Sequence, residues 1–177
     1  GSGKTVVAAT AMVTIAQSGG QTALLAPTEV LAAQHFRSLI ATLGPDMAAR
    51  LNPVLVTGSL PAAVKKKALL AAASGSSHLV VGTHALLSDS VAFADLGLVV
   101  IDEQHRFGVD QREALRQKGT HPHVLVLTAT PIPRTVAMTV FGDLDVSTIA
   151  TMPSGRSPID THVVALDDHP EWFARVW

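Results

Sequence analysis

The residues best equipped for chemistry stand at the start and in the middle of the chain. Gly1-Ser2-Gly3-Lys4-Thr5 matches the second part of the phosphate-binding loop G-x-x-x-x-G-K-[ST]. Glycines there let successive backbone N–H groups converge on phosphate oxygens with no Cβ in the way. The helix that follows adds the positive end of its dipole. In that reading Lys4 contacts the β- and γ-phosphates of a nucleotide, and the Thr5 hydroxyl ligates Mg²⁺. Much further on, the apolar run Gly97-Leu98-Val99-Val100-Ile101 ends in Asp102-Glu103-Gln104-His105. Two acids after an apolar run can simply open a surface loop. Paired with a phosphate loop, they acquire separate tasks. Asp102 holds Mg²⁺, directly or through water, and Glu103 orients and deprotonates the attacking water. A phosphotransferase needs no base for water, so adjacent acids favour hydrolysis. The guanine-reading Asn-Lys-x-Asp pattern is absent, which argues against a GTPase.

Such residues need elements that hold them. An apolar run without alternation fits a strand buried on both faces of a parallel sheet. Open sheets of that kind bind ligands at the carboxyl ends of their strands. The pattern predicts a glycine-rich turn at 1–5, a helix over 6–17 and a strand over 22–26. Thr28 then caps a helix that runs to about Leu43, and Glu29 favours its first turn. A strand follows over 54–57, a helix over 61–73, a strand over 78–81 and a short helical turn over 85–88. The central strand ends at Asp102. Beyond it come a helix over 110–117, a strand over 123–127, and a helix over 134–141 that Pro131 and Pro133 introduce. Two further strands are predicted over 145–149 and 162–166. Strands alternating with helices imply a three-layer α/β fold with a mostly parallel sheet.

Composition narrows the classes. The chain has 177 residues, a formal net charge of −1 and no cysteine. There is no disulfide framework, no cysteine metal site and no global basic field, so any nucleic-acid contact must be local. No apolar run is long enough to span a bilayer, and no secretory signal is visible. Both ends look cut. The first residues already lie inside a motif, and 169–177 reads as a helix that stops mid-course. The chain is therefore expected to be part of a larger protein.

Several strings then carry a resemblance. Asp102-Glu103-Gln104-His105 resembles the motif II box of superfamily 2 helicases and translocases. Thr128-Ala129-Thr130 resembles their motif III, Ala26-Pro27-Thr28-Glu29 motif Ia, Thr57-Gly58 motif Ib and Gly82-Thr83-His84 motif Ic. All fall in the expected order, each just after a predicted strand. Longer strings over 102–109, 128–135 and 142–146 are similar to the RecG-like branch of that superfamily. The transcription-repair coupling factors are near relatives. They are similar to Asp-Glu-Glu-His at motif II and lack the Gly142–Val146 string, so Gln104 favours the RecG-like branch.

The resemblance implies a RecA-like P-loop lobe over 1–166, lacking its first strand and the start of the loop. Residues 167–177 would begin the connection to a second motor lobe. It further implies a bacterial cytoplasmic, nucleoid-associated enzyme that uses ATP and Mg²⁺. Such an enzyme moves on duplex DNA and remodels branched DNA or stalled forks in recombination and repair. Gln104 and His105 would relay nucleotide state to the DNA side, and Thr128, Ala129 and Thr130 would couple hydrolysis to lobe movement. Pro27, Thr28, Glu29, Thr57, Gly58, Thr83 and His84 would grip one DNA strand by its phosphates, which carries no sequence information. Arginines from the second lobe would complete the active site, and an N-terminal wedge domain would recognise the junction. The isolated lobe would then be a poor enzyme, since a missing arginine finger costs about 10³–10⁵ in rate.

Two other classes compete. A DNA-binding module that had lost catalysis has no physical need for Lys4, Thr5, Asp102 and Glu103 together. A P-loop kinase leaves the Thr-Ala-Thr and Pro-Thr-Glu strings unexplained. Lys65, Lys66 and Lys67 cover most of a helical turn and fit a solvated face better than a DNA groove. The eight histidines show no metal-ligand spacing. Arg106 and Arg134 fit a DNA or interlobe contact as well as a local ion pair. Asp143 and Asp145 fit a turn, and Trp172 and Trp177 fit packing against an element beyond the chain.

Overall fold

The computed structural model of the chain describes residues 3–88, 90–102, 118–119, 122–129 and 145–149. Among the described residues, five parallel strands form one sheet: β1 (Gln21–Leu25), β2 (Val54–Val56), β3 (Leu79–Gly82), β4 (Leu96–Asp102) and β5 (His123–Leu127), in the order β2-β3-β1-β4-β5. Helices α1 (Lys4–Gln17), α2 (Glu29–Leu51) and α3 (Ala62–Ala73) connect them, with a 3-10 turn at His84–Leu87. The expected α/β architecture with a parallel sheet is what forms.

The core follows from the strand sequences. Every residue of β1 and β3 is buried, and β4 is buried throughout except at Gly97 and Asp102, which are partly exposed. One face of the sheet packs Leu24, Leu79, Val81, Leu98 and Val100 against Ala8, Met12 and Ala16 of α1 and Ala32 and Leu39 of α2. The other face packs Ala23, Val56, Val80, Val99 and Ile101 against Ala68 and Ala72 of α3. Strand side chains alternate between faces, so a strand lying between two helical layers must be apolar at every position. Each fully buried Val or Ile contributes about 1.5–3 kcal/mol.

The structure departs from the sequence reading in two places. The first segment of α2 ends before Gly44, as expected, but a second helical segment that the pattern did not predict follows to Leu51, with Asn52 capping it in the left-handed region at φ 46°. Pro45 starts the second segment, where its missing N–H costs nothing. The strand expected over 145–149 does not form; these residues are irregular and exposed. They pair with none of the described strands, and an extended segment without a ladder partner leaves its backbone groups to water. The helices expected over 110–117 and 134–141 and the strand over 162–166 lie outside the described residues.

Gly82 shows why motif Ic begins with a glycine. A Cβ there would collide with the Val56 carbonyl oxygen and sit 2.8 Å from Leu86 Cγ. The backbone of β2 cannot yield without breaking its ladder with β3. Gly82→Ala is expected to cost about 1–3 kcal/mol through overpacking, read as a lowered urea midpoint. An unchanged midpoint would show that β2 moves freely.

Candidate functional site

Because all five strands run parallel, their carboxyl ends share one edge of the sheet. That edge gathers Pro27, Thr28 and Glu29 after β1, Thr57 and Gly58 after β2, Thr83 and His84 after β3, Asp102 at the end of β4, and Thr128 and Ala129 after β5. From β1 the chain proceeds outward to one side of the sheet, and from β4 to the other. The crevice between the ends of β1 and β4 is therefore the switch point where open α/β sheets take ligands. Gly1, Ser2, Glu103, Gln104, His105 and Thr130 lie outside the described residues, as do Arg106 and Arg134.

The start of α1 has features that suit an anion. Gly3 precedes it at φ 84°, a left-handed conformation that glycine adopts without steric cost. Lys4 and Thr5 are its first two residues, and no acid occupies its first turn. The positive end of the dipole thus meets no carboxylate from its own helix. Thr5 lines a cavity of about 260 Å³ between α1 and α2, and His35 lines the same cavity.

His35 is the connection that sequence reasoning missed. Its Nε2 lies 2.7 Å from Asp102 Oδ2. An ionised carboxylate only accepts, so the imidazole N–H donates. The two side chains are 13% and 14% exposed, close enough to burial for the bond to fix both. His35 thus bonds Asp102, one of the two expected metal ligands, and lines the same cavity as Thr5, the other. A signal was available: His35 stands three residues after Ala32 and four before Leu39, both buried on α2. That is the core-facing stripe of the helix, where an apolar residue is the default.

The donor set suits magnesium. The Thr5 hydroxyl and the Asp102 carboxylate are hard oxygen donors, and the chain has no cysteine. Magnesium commonly takes one or two protein oxygens, completing its shell with phosphates and water. A larger cluster of acids and histidines is unnecessary, and none occurs among the described residues.

The flanking loops are organised by hydrogen bonds within the edge. Thr28 caps α2, its hydroxyl accepting from the Leu31 N–H at 3.3 Å, as its sequence position predicts. Glu29 does more than complement the helix dipole. Its Oε1 accepts from the N–H groups of Gly58 at 2.7 Å and Ser59 at 3.1 Å, so motif Ia holds the motif Ib turn in place. Thr57 is 3% exposed and Thr83 1%, and the Thr83 hydroxyl accepts from the Ala85 N–H. At these two positions the whole residue, hydroxyl included, is buried.

Comparison with known proteins agrees with this geometry. Residues 1–139 match the family model described as DEAD/DEAH box helicase. The chain is 54% identical over 188 aligned residues to the ATP-dependent DNA helicase RecG of Mycobacterium tuberculosis, covering 100% of the chain and 26% of that protein. It is 54% identical to RecG of Streptococcus pneumoniae over 97% of the chain and 25% of that protein. A solved structure of RecG bound to a three-way DNA junction superposes with a TM-score of 0.83 at 40% identity, over 99% of this chain and 23% of that one. The chain thus spans about a quarter of the length of these relatives.

Proposed function

The chain belongs to the DEAD/DEAH box helicase family, and from that premise we propose that it is the first motor lobe of a RecG-type helicase. The lobe binds and hydrolyses ATP to drive movement on duplex DNA and the remodelling of branched or forked DNA. The observation that carries the proposal is the shared edge. Helix α1 starts, and β4 with Asp102 ends, at the edge of the sheet where the turns after β1, β2 and β3 also lie. Identity to RecG over the whole chain supports the substrate class. Residues 1–166 form the lobe, 167–177 begin the connection to a second lobe, and a wedge domain reads the junction. The setting is the bacterial cytoplasm, at the nucleoid.

The chemistry follows from the placement. Backbone N–H groups of Gly1 to Thr5 hold the phosphates, and Lys4 offsets charge on the β- and γ-phosphates. Thr5 and Asp102 hold Mg²⁺, which when bound neutralises charge developing on the transferred phosphoryl group. Glu103 takes the proton of the attacking water. Gln104, His105, Thr128, Ala129 and Thr130 carry the change of nucleotide state towards the DNA side. Pro27, Thr28, Glu29, Thr57, Gly58, Thr83 and His84 form the DNA-side loops. There Glu29 acts by shaping the Gly58 turn rather than by meeting a phosphate, since two anions repel.

ATP turnover measured with and without forked DNA tests the proposal. DNA-stimulated hydrolysis by the two-lobe protein is expected. DNA binding without turnover would indicate a module that has lost catalysis, and transfer to an acceptor other than water would indicate a kinase.

The Thr28 position separates DNA contact from folding. Thr28→Ala removes the cap and costs about 1 kcal/mol, which confuses the two. Thr28→Asp retains a cap of equal quality and sets a carboxylate against DNA phosphates. It is expected to leave the melting temperature and basal ATPase unchanged while reducing DNA stimulation about tenfold, the equivalent of about 1.4 kcal/mol of binding. Full DNA stimulation by Thr28→Asp would place the DNA elsewhere.

A further inference from the structure

We propose that His35 is a positioning residue that presents Asp102 to the nucleotide-bound magnesium by holding one of its two carboxylate oxygens. The inference rests on the function proposed above, and it concerns a residue outside the helicase motifs read from the sequence.

The carboxylate ends β4 at the switch-point crevice and could rotate about its side-chain torsions. The 2.7 Å bond from His35 Nε2 to Oδ2 removes that freedom. Oδ1 takes no hydrogen bond among the described residues, so it is the oxygen left to face a cation or its water. The bond thereby favours single-oxygen ligation, which suits the octahedral shell of magnesium.

The imidazole is itself held. His35 projects from the face of α2 that buries Ala32 and Leu39, and it lines the cavity that Thr5 lines from α1. A side chain there meets packed neighbours on the helix side and the acid on the strand side. Ligating carboxylates are oriented by such hydrogen bonds, and losing the partner costs about 10–100-fold in metal affinity. A packing histidine would need no carboxylate. A stabilising ion pair would have no reason to select the acid that ends β4 at the ligand-binding edge of the sheet.

The test uses the full two-lobe protein and the variants His35→Ala and His35→Gln. Glutamine places an amide N–H close to the position of Nε2, so it retains a donor for Oδ2. Binding of a fluorescent ADP is measured with Mg²⁺ and with EDTA, and Mn²⁺ binding to the protein–ADP complex is followed by electron paramagnetic resonance. DNA-stimulated ATPase is titrated with Mg²⁺ in parallel.

His35→Ala is expected to weaken Mn²⁺ binding about 10–100-fold and to raise the Mg²⁺ concentration for half-maximal ATPase by a similar factor. Nucleotide binding in EDTA should be unchanged, and His35→Gln should recover most of the loss. Metal dependence of His35→Ala equal to wild type would overturn the inference. So would a loss that appears equally in EDTA, or a folded glutamine variant that recovers nothing, because either assigns His35 to packing. A wild-type protein without DNA-stimulated ATPase would instead overturn the functional proposal, and this inference with it.

Discussion

Replacing Glu103 by glutamine is expected to lower ATP turnover by about 10²–10⁴-fold, the usual worth of a positioned general base, while ATP still binds. The amide matches the carboxylate in size and cannot accept the proton of the attacking water. In the proposed function the phosphate contacts come from Gly1 to Thr5 and the metal contact from Thr5 and Asp102, none of which the substitution touches. Nucleotide affinity measured by fluorescence should therefore match wild type, while single-turnover phosphate release slows. Near-normal hydrolysis by Glu103→Gln would sink the general-base assignment. A matched loss of affinity and turnover would point to Glu103 as a metal holder instead.

The second large effect lies at the opposite edge of the sheet, at Gln21. This side chain is 1% exposed and makes four hydrogen bonds. Its Nε2 donates to the carbonyls of Ala72 at 2.8 Å and Ser77 at 2.7 Å. Its Oε1 accepts from the N–H groups of Ala94 at 2.7 Å and Asp95 at 2.9 Å. One amide thus joins the end of α3 and the approaches to β3 and β4 to the start of β1. Gln21→Leu keeps the volume and removes every partner. A buried backbone group left without a partner costs about 1–3 kcal/mol, so a net loss of about 3 kcal/mol is expected. For a domain of this size that lowers the melting temperature by about 6–12 °C. The catalytic edge is not involved, so turnover per folded molecule should hold. A melting temperature within a degree of wild type would mean that water replaces the amide and that the site is less closed than its burial indicates.

The placement of several candidate residues was legible in the sequence. Gly3-Lys4-Thr5 before a helix and Asp102 after an unbroken apolar run are local patterns, and each lies where its pattern places it, at a helix start and a strand end. The Thr28 cap is equally local, since an N-cap serves its own helix. Gly82 looked like one glycine of a motif, and only the approach of the Val56 carbonyl shows what it excludes. Gln21 lies just outside the strand expected over 22–26, and no local pattern singles it out. Its four partners lie 51 to 74 residues away, and no periodicity reports such distances.

The sequence by itself determined the alternation of strands and helices, the parallel sheet this implies, and hence the edge where the ligand-facing residues collect. It could do so because burial on both faces demands continuous apolar strands, and parallel strands bring all their carboxyl ends together. Only the tertiary structure decided which neighbours meet on that edge. The order β2-β3-β1-β4-β5 sets β1 beside β4, and helix α2 packs so that His35 reaches Asp102, 67 residues away. The same packing turns Glu29 onto Gly58 and buries the hydroxyls of Thr57 and Thr83. A pattern in the chain states that a strand is buried. What lies against it depends on the order and packing of elements distant in sequence.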